Sequence, residues 1–94
     1  INAQKTNRRN ILETALNTAI NSSEAARIRS ETQLKNLQRA MDAEEILIRN
    51  YETGTIDFND VLDIQELQLK FQINKIEAVK NYYAQMAIVN YLAN

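Results

Sequence analysis

Five acids surround the only glycine of this 94-residue chain, and their carboxylates are the side chains here best able to do chemistry. They lie in the stretch YETGTIDFNDVLDIQE, which contains no base: Glu52, Asp57, Asp60, Asp63 and Glu66. Carboxylates serve as general acids and bases, as metal ligands, or as rings that attract cations to a pore. The rest of the sequence narrows this choice.

The composition argues against catalysis. The chain contains no histidine and no cysteine, so the usual nucleophile–base pairs and most transition-metal sites are unavailable. Carboxylate diiron bundles need Glu-x-x-His motifs, which cannot occur here. Asp57, Asn59 and Asp60 do not meet the EF-hand calcium-loop pattern. We therefore expect no enzyme, no metal site and no cofactor.

Composition and charge indicate a helical protein that does not bind nucleic acid. Helix-forming residues dominate and proline is absent, which is typical of long helices. The net charge is −1, and no basic stripe is present. No apolar stretch approaches the roughly 20 residues of a membrane-spanning helix. Because the chain starts without Met and neither end is built to stop a helix, we expect it to be a piece of a longer protein.

The residues before the glycine predict one long helix, at about 4–50. Its apolar and small residues recur every three or four positions, as in a coiled coil. The predicted stripe consists of Leu12, Leu16, Ala19, Ser23, Ala26, Ser30, Leu34, Leu37, Met41, Ile48 and Tyr51. At the standard rise this helix is about 70 Å long, a length found in coiled coils and helical bundles.

The residues after the glycine predict a second long helix, at about 58–93. Asp57 is placed as its N-cap, and Asp60 completes a box-like arrangement that suits the positive end of the helix dipole. Residues 51–57 are the predicted turn, in which Gly54 provides a positive φ. A short loop between long helices makes them antiparallel neighbours. The predicted fold class is therefore all-α, a long antiparallel, coiled-coil-like helical hairpin.

The second helix has more than one apolar stripe. One stripe consists of Ile64, Leu67, Phe71, Ala78, Tyr82, Val89 and Leu92. The other consists of Leu62, Leu69, Ile73, Ile76, Tyr83 and Met86. A single hairpin partner covers only one stripe, so the other needs a further helix. We expect the isolated chain to associate with itself, as an antiparallel four-helix bundle or a larger assembly.

The turn resembles the last repeat of the TolC-family outer-membrane efflux proteins. The string YETGTIDFNDVLDIQELQL has the family's Tyr, a Gly three residues later, a short turn, and Val-Leu-Asp before a Gln- and Leu-rich helix. The run-in AMDAEEILIRNYETG and the closing KNYYAQMAIVNYLAN are also similar. The resemblance covers residues 40–94 well and is compatible with 1–39.

The resemblance implies a trimeric duct with a β-barrel in the outer membrane and an α-helical barrel in the periplasm. Such ducts export molecules with a periplasmic adaptor and, through it, an inner-membrane pump. Residues 1–50 would be the descending helix, 51–57 the turn at the entrance, and 58–94 the returning helix. The hairpin would thus be a piece of an α-helical barrel in the periplasm of a Gram-negative bacterium.

The resemblance also implies roles for residues near the turn. Tyr51, Asp60 and Asp63 match positions that constrict the entrance, although Ile56 stands where some relatives place an Arg that binds these acids. Ile56 and Phe58 are candidate contacts for the adaptor. Simpler roles stay open: capping and dipole effects for the acids, packing for Tyr51, and a small apolar cap for Ile56 and Phe58.

A second class of function also explains the heptads. A structural coiled-coil hairpin that serves as an interaction or scaffold module needs no duct. The complete gene distinguishes the two, because a duct requires a secretion signal, a second helix–turn–helix repeat and strand segments for a barrel.

Overall fold

The chain forms two long antiparallel helices joined by a tight turn. The computed structural model describes residues 2–94, with side chains from residue 4 onward. Helix α1 spans Asn2–Glu52 and helix α2 spans Phe58–Ala93. The resulting rod measures 78 × 15 × 14 Å. The predicted fold class, an all-α helical hairpin of coiled-coil type, is confirmed.

The turn is shorter than the sequence predicted. Tyr51 and Glu52, which the prediction placed in the turn, are the last helical residues of α1. The Thr53 N–H still donates to the Arg49 carbonyl at 3.2 Å, so the helical hydrogen-bond ladder continues to the residue before Gly54. Only residues 53–57 lie between the helices.

The two helices meet along a continuous seam with alternating spacings of three and four residues. Every seam residue is buried or half-buried. In α1 the seam consists of Leu16, Ala19, Ser23, Ala26, Ser30, Gln33, Leu37, Ala40, Glu44 and Leu47. In α2 it consists of Val61, Ile64, Gln68, Phe71, Lys75, Ala78, Tyr82, Gln85, Val89 and Leu92. This spacing is that of a coiled coil.

The predicted α1 stripe is correct from Leu16 to Ser30 and wrong in its second half. Leu34, Met41 and Ile48 are exposed, and the seam instead follows the residues just before them, beginning at Gln33. The prediction followed the larger apolar side chains. The structure keeps the three-four spacing set by Ala19–Ser30, which places small and polar residues against α2. Leu12 and, in α2, Leu67 are likewise exposed rather than in the seam.

Small side chains make the seam narrow and the core thin. Ala19, Ser23, Ala26, Ala40 and Ala78 are buried, and no large side chain in the described part of the chain is fully buried. Small residues at a contact let two helices approach closely. They also bury little apolar area, so the hairpin by itself gains limited stability from the hydrophobic effect.

A hydrogen bond across the seam fixes the register of the helices. The Gln68 side-chain amide donates to the Ala40 carbonyl at 3.2 Å, in a half-buried position. A slip of one helix along the other would remove this partner from a largely desolvated amide. The bond therefore favours one antiparallel alignment over its neighbours.

The hairpin has two different flanks, one on each side of the seam. Residues that directly precede a seam residue lie together on one flank, because Arg29 of α1 shares a depression with Asn74 and Asn81 of α2. We call this the polar flank: Arg29, Asn36, Asn50, Asp60, Asp63, Asn74, Glu77 and Asn81. Residues that directly follow seam residues form the other, the apolar flank: Ile20, Leu34, Met41, Ile48, Leu62, Leu69, Ile76 and Tyr83. The latter includes most of the second predicted stripe of α2, which stays exposed as expected.

Candidate functional site

The chain reverses at the hairpin tip through a Schellman motif centred on Gly54. The Thr55 N–H donates to the Asn50 carbonyl and the Gly54 N–H to the Tyr51 carbonyl, each at 2.9 Å. This motif needs a left-handed residue, and Gly54 has φ +76°, as predicted. No atom lies within 4 Å of where a Cβ would stand. Backbone conformation, not lack of space, is therefore what requires glycine here.

Two threonines reinforce the end of α1. The Thr53 hydroxyl donates to the Asn50 carbonyl at 2.9 Å, and it also lies 2.7 Å from the Thr55 hydroxyl. The bond to Asn50 satisfies a terminal carbonyl that has no partner within the helix. The threonine pair thereby ties the two sides of Gly54 together, and sequence reasoning did not identify it.

Asp57 caps the start of α2, as the sequence predicted. Its backbone is extended, at φ −83° and ψ 149°, and its carboxylate accepts from the Asn59 N–H at a long 3.5 Å and from the Asn59 side chain at 3.2 Å. Asp60 is linked to the cap through its backbone N–H, which donates to the Asp57 carbonyl at 3.1 Å. The Asp60 carboxylate is thus not part of a reciprocal capping box among the described hydrogen bonds.

Tyr51 and Phe58 meet across the turn. Their ring centroids are 5.3 Å apart with planes tilted by 53°, a favourable aromatic geometry. Ile56 lies between them in sequence and is half-buried. About half of each ring remains exposed. The contact supports a packing role for Tyr51 and Phe58 at the end of the seam, and it leaves their outer faces open to a partner.

Asp60 and Asp63 lie on the polar flank, on a different side of the tip from the aromatic pair. Both are exposed, and they line one depression, together with Leu47, Ile64 and Leu67. Ion pairs in the described part of the chain occur at Arg27 and Arg49 and do not include these acids. Nor does the Tyr51 hydroxyl bond to either of them among the described residues. The structure therefore brings the two acids together but does not join Tyr51 to them.

A second polar feature lies halfway along the polar flank. Arg29, Asn74, Glu77 and Asn81 line a depression whose floor includes the seam residue Gln33. The Gln33 Oε1 atom is buried and has no hydrogen-bond partner among the described residues. Sequence reasoning missed this position, because it assigned the seam to Leu34. The polar break in an otherwise regular heptad was the available signal.

The described residues hold no group of three or more acids, histidines or cysteines placed to bind a metal ion. Between residues 2 and 94, neither helix has a stretch long and apolar enough to cross a membrane. Comparison with protein-family models, with curated proteins and with solved structures finds no match.

Proposed function

We propose that this hairpin is the periplasmic entrance segment of an outer-membrane efflux duct of the TolC type. The supporting observation is the tip: a turn whose sequence resembles that family reverses at a glycine and has two unpaired acids beside it. The proposed role is non-enzymatic. In it the hairpin lies in the periplasm, and the duct continues into the outer membrane.

In this proposal Asp60 and Asp63 rim the entrance. In a trimer each acid occurs once per copy, so the opening is surrounded by two rings of carboxylates. Such rings attract cations and repel anions at a pore mouth. Because neither acid has a cationic partner within the described hairpin, both charges are free to act on passing ions. Tyr51, seated on Phe58, narrows the same opening.

The test is the ion selectivity of the parent duct in planar lipid bilayers. Asp60→Asn together with Asp63→Asn should reduce the preference for cations several-fold, because both carboxylate rings lose their charge. Asp42→Asn removes an exposed acid of α1 far from the tip and serves as the control. Unchanged selectivity in the double variant would contradict an entrance role for these acids.

The tip also offers a contact for a periplasmic adaptor, through which an inner-membrane pump would be engaged. Ile56 and Phe58 are the apolar side chains of the turn. Ile56→Asp is the sharper test, since Phe58→Asp also removes the ring contact with Tyr51. We expect Ile56→Asp to weaken adaptor binding at least about tenfold, as loss of an apolar contact does. Thr55→Asp places the same charge one residue away, and an equal loss in both variants would argue against a specific Ile56 contact.

The competing role is a scaffold or interaction module. The regular seam favours it, because a coiled-coil hairpin explains that seam without any duct. The complete reading frame separates the two. A duct needs a secretion signal, a second helix–turn–helix repeat and alternating strand segments. A frame with none of these would overturn the duct and leave the scaffold.

A further inference from the structure

The apolar flank of α2 has no charged residue over its whole length. The residues that directly follow its seam positions are Leu62, Gln65, Leu69, Gln72, Ile76, Val79, Tyr83, Met86, Asn90 and Ala93. They repeat the three-four spacing of the seam itself, shifted by one residue. A one-residue shift turns the direction by about 100° around a helix. Helix α2 therefore has a second, uncharged heptad seam beside the one that α1 covers.

Helix α1 contributes a matching edge to this flank. Ile20, Leu34, Met41 and Ile48 follow its seam residues and are exposed. One cation, Arg27, interrupts the edge, and its guanidinium is held by Glu24 at 3.0 Å and by Glu31 at 2.8 Å. The hydrogen bond and charge of Glu24, and then the charge of Glu31, raise the pKa of Arg27 above its ordinary value. The cation is thus matched by acids of its own helix.

The exposed apolar area is large for a chain of this size. The eight side chains of the apolar flank are between 37% and 67% exposed. At roughly 100 Å² each they present on the order of 800 Å², which is about one partner's share of a standard protein interface. Lone soluble proteins rarely leave contiguous apolar patches beyond a few hundred Å². The thin seam adds to the need, because the hairpin buries little apolar surface by itself.

We propose that two copies of this chain pack apolar flank against apolar flank, forming a four-helix bundle. The surface runs from Ile20 to Ile48, about 42 Å at the helical rise, so its partner must be a rod with an uncharged seam of similar length. A second copy supplies that rod. Two-fold symmetry covers both flanks at once and leaves no apolar flank exposed. The pairing holds for a duct segment and for a scaffold module alike.

Sedimentation equilibrium of the whole 94-residue chain tests the pairing. The wild type should have twice the single-chain mass of 10.8 kDa at micromolar concentrations. Leu69→Glu with Ile76→Glu should raise the dissociation constant at least about 100-fold, because it places like charges inside the contact. Leu67→Glu with Ile88→Glu puts the same charges on the other flank, at residues of comparable exposure, and should change it less than about threefold.

Three results would overturn the proposal: a one-chain mass for the wild type, a three-chain mass, or equal weakening by the two double variants. A variant that unfolds would mimic dissociation, so a milder probe is also needed. The chain has no cysteine, and a single thiol therefore reports on its own position. In Ile76→Cys, alkylation should be at least about tenfold slower in concentrated than in dilute solution. In Leu67→Cys the rate should not depend on concentration; protection of both thiols, or of neither, contradicts the proposed face.

Discussion

The two flanks of the hairpin differ sharply although the same two helices build both. On α2 the polar flank has Asp60, Asp63, Lys70 and Glu77 in the positions before seam residues, and the positions after seam residues hold no charge at all. The polar flank includes the acids of the tip and a depression with an unpartnered buried amide oxygen. The apolar flank offers a smooth, uncharged ridge.

Three consecutive residues show how little separates these surfaces. Asp60 is exposed on the polar flank, Val61 is 2% exposed in the seam, and Leu62 is 41% exposed on the apolar flank. Each step turns by about 100° around the helix axis. The difference teaches that one helix can present a solvated acidic face, an intramolecular seam and an association face at once. The charge of the mouth and the packing of the assembly can therefore vary independently.

The largest expected effect separates the seam from the apolar flank. Val61→Asp buries a charge against α1 and should destabilise the hairpin by about 3 kcal/mol, enough to remove much of its helical signal. Leu62→Asp, one residue on, should keep the helices and reduce only self-association. Urea denaturation followed by circular dichroism at several protein concentrations measures both. If the two variants lose helix equally, seam and flank are not distinct surfaces.

The next effect concerns the turn that holds the α1 and α2 parts of each flank side by side. Gly54→Ala should cost about 1–2 kcal/mol, because φ at this residue is positive while a methyl group would meet no atom. Gly54→Asn should cost less, since asparagine tolerates the left-handed conformation. Chemical denaturation at low protein concentration checks the order. Equal stability of the alanine variant and the wild type would contradict the Schellman geometry.

A smaller effect of opposite sign is expected where the seam borders the polar flank. Gln33→Leu removes a buried carbonyl oxygen without a partner and should stabilise the hairpin by about 1 kcal/mol. Gln38→Leu, at an exposed position of the same helix, is the matched control and should leave stability nearly unchanged. A loss of stability in Gln33→Leu would mean that the amide bonds a group in its surrounding depression.

The smallest effect sharpens the apolar flank itself. Arg27→Leu completes the line from Ile20 to Leu34 and should tighten self-association by up to about tenfold. Arg29→Leu removes a similar charge from the polar flank and should leave association unchanged. Sedimentation equilibrium compares the two. Weaker association of Arg27→Leu would show that the cation contributes to the contact between copies.

Local sequence was sufficient to predict the architecture. Proline-free helical periodicity predicted two long helices, and the single glycine predicted the reversal with its positive φ. Asp57 before a helix predicted the N-cap. These features depend on backbone preferences within a few residues, which no distant contact overrides here. The site was only partly predictable: Asp60 and Asp63 do lie together, but nothing in the spacing indicated that Tyr51 would turn away from them toward Phe58.

What the sequence alone determined, then, is the set of faces that each helix presents, because periodicity fixes the direction of every side chain around its own axis. Which face of α1 meets α2 was decided only in the tertiary structure. Beyond Ser30, the larger side chains Leu34, Met41 and Ile48 predicted one phase, and the structure adopted the neighbouring one through Gln33, Ala40 and Leu47. Close packing of small residues against α2, with the Gln68 bond to the Ala40 carbonyl, outweighs the burial of those larger side chains within the hairpin. Their exposure is the physical origin of the apolar flank.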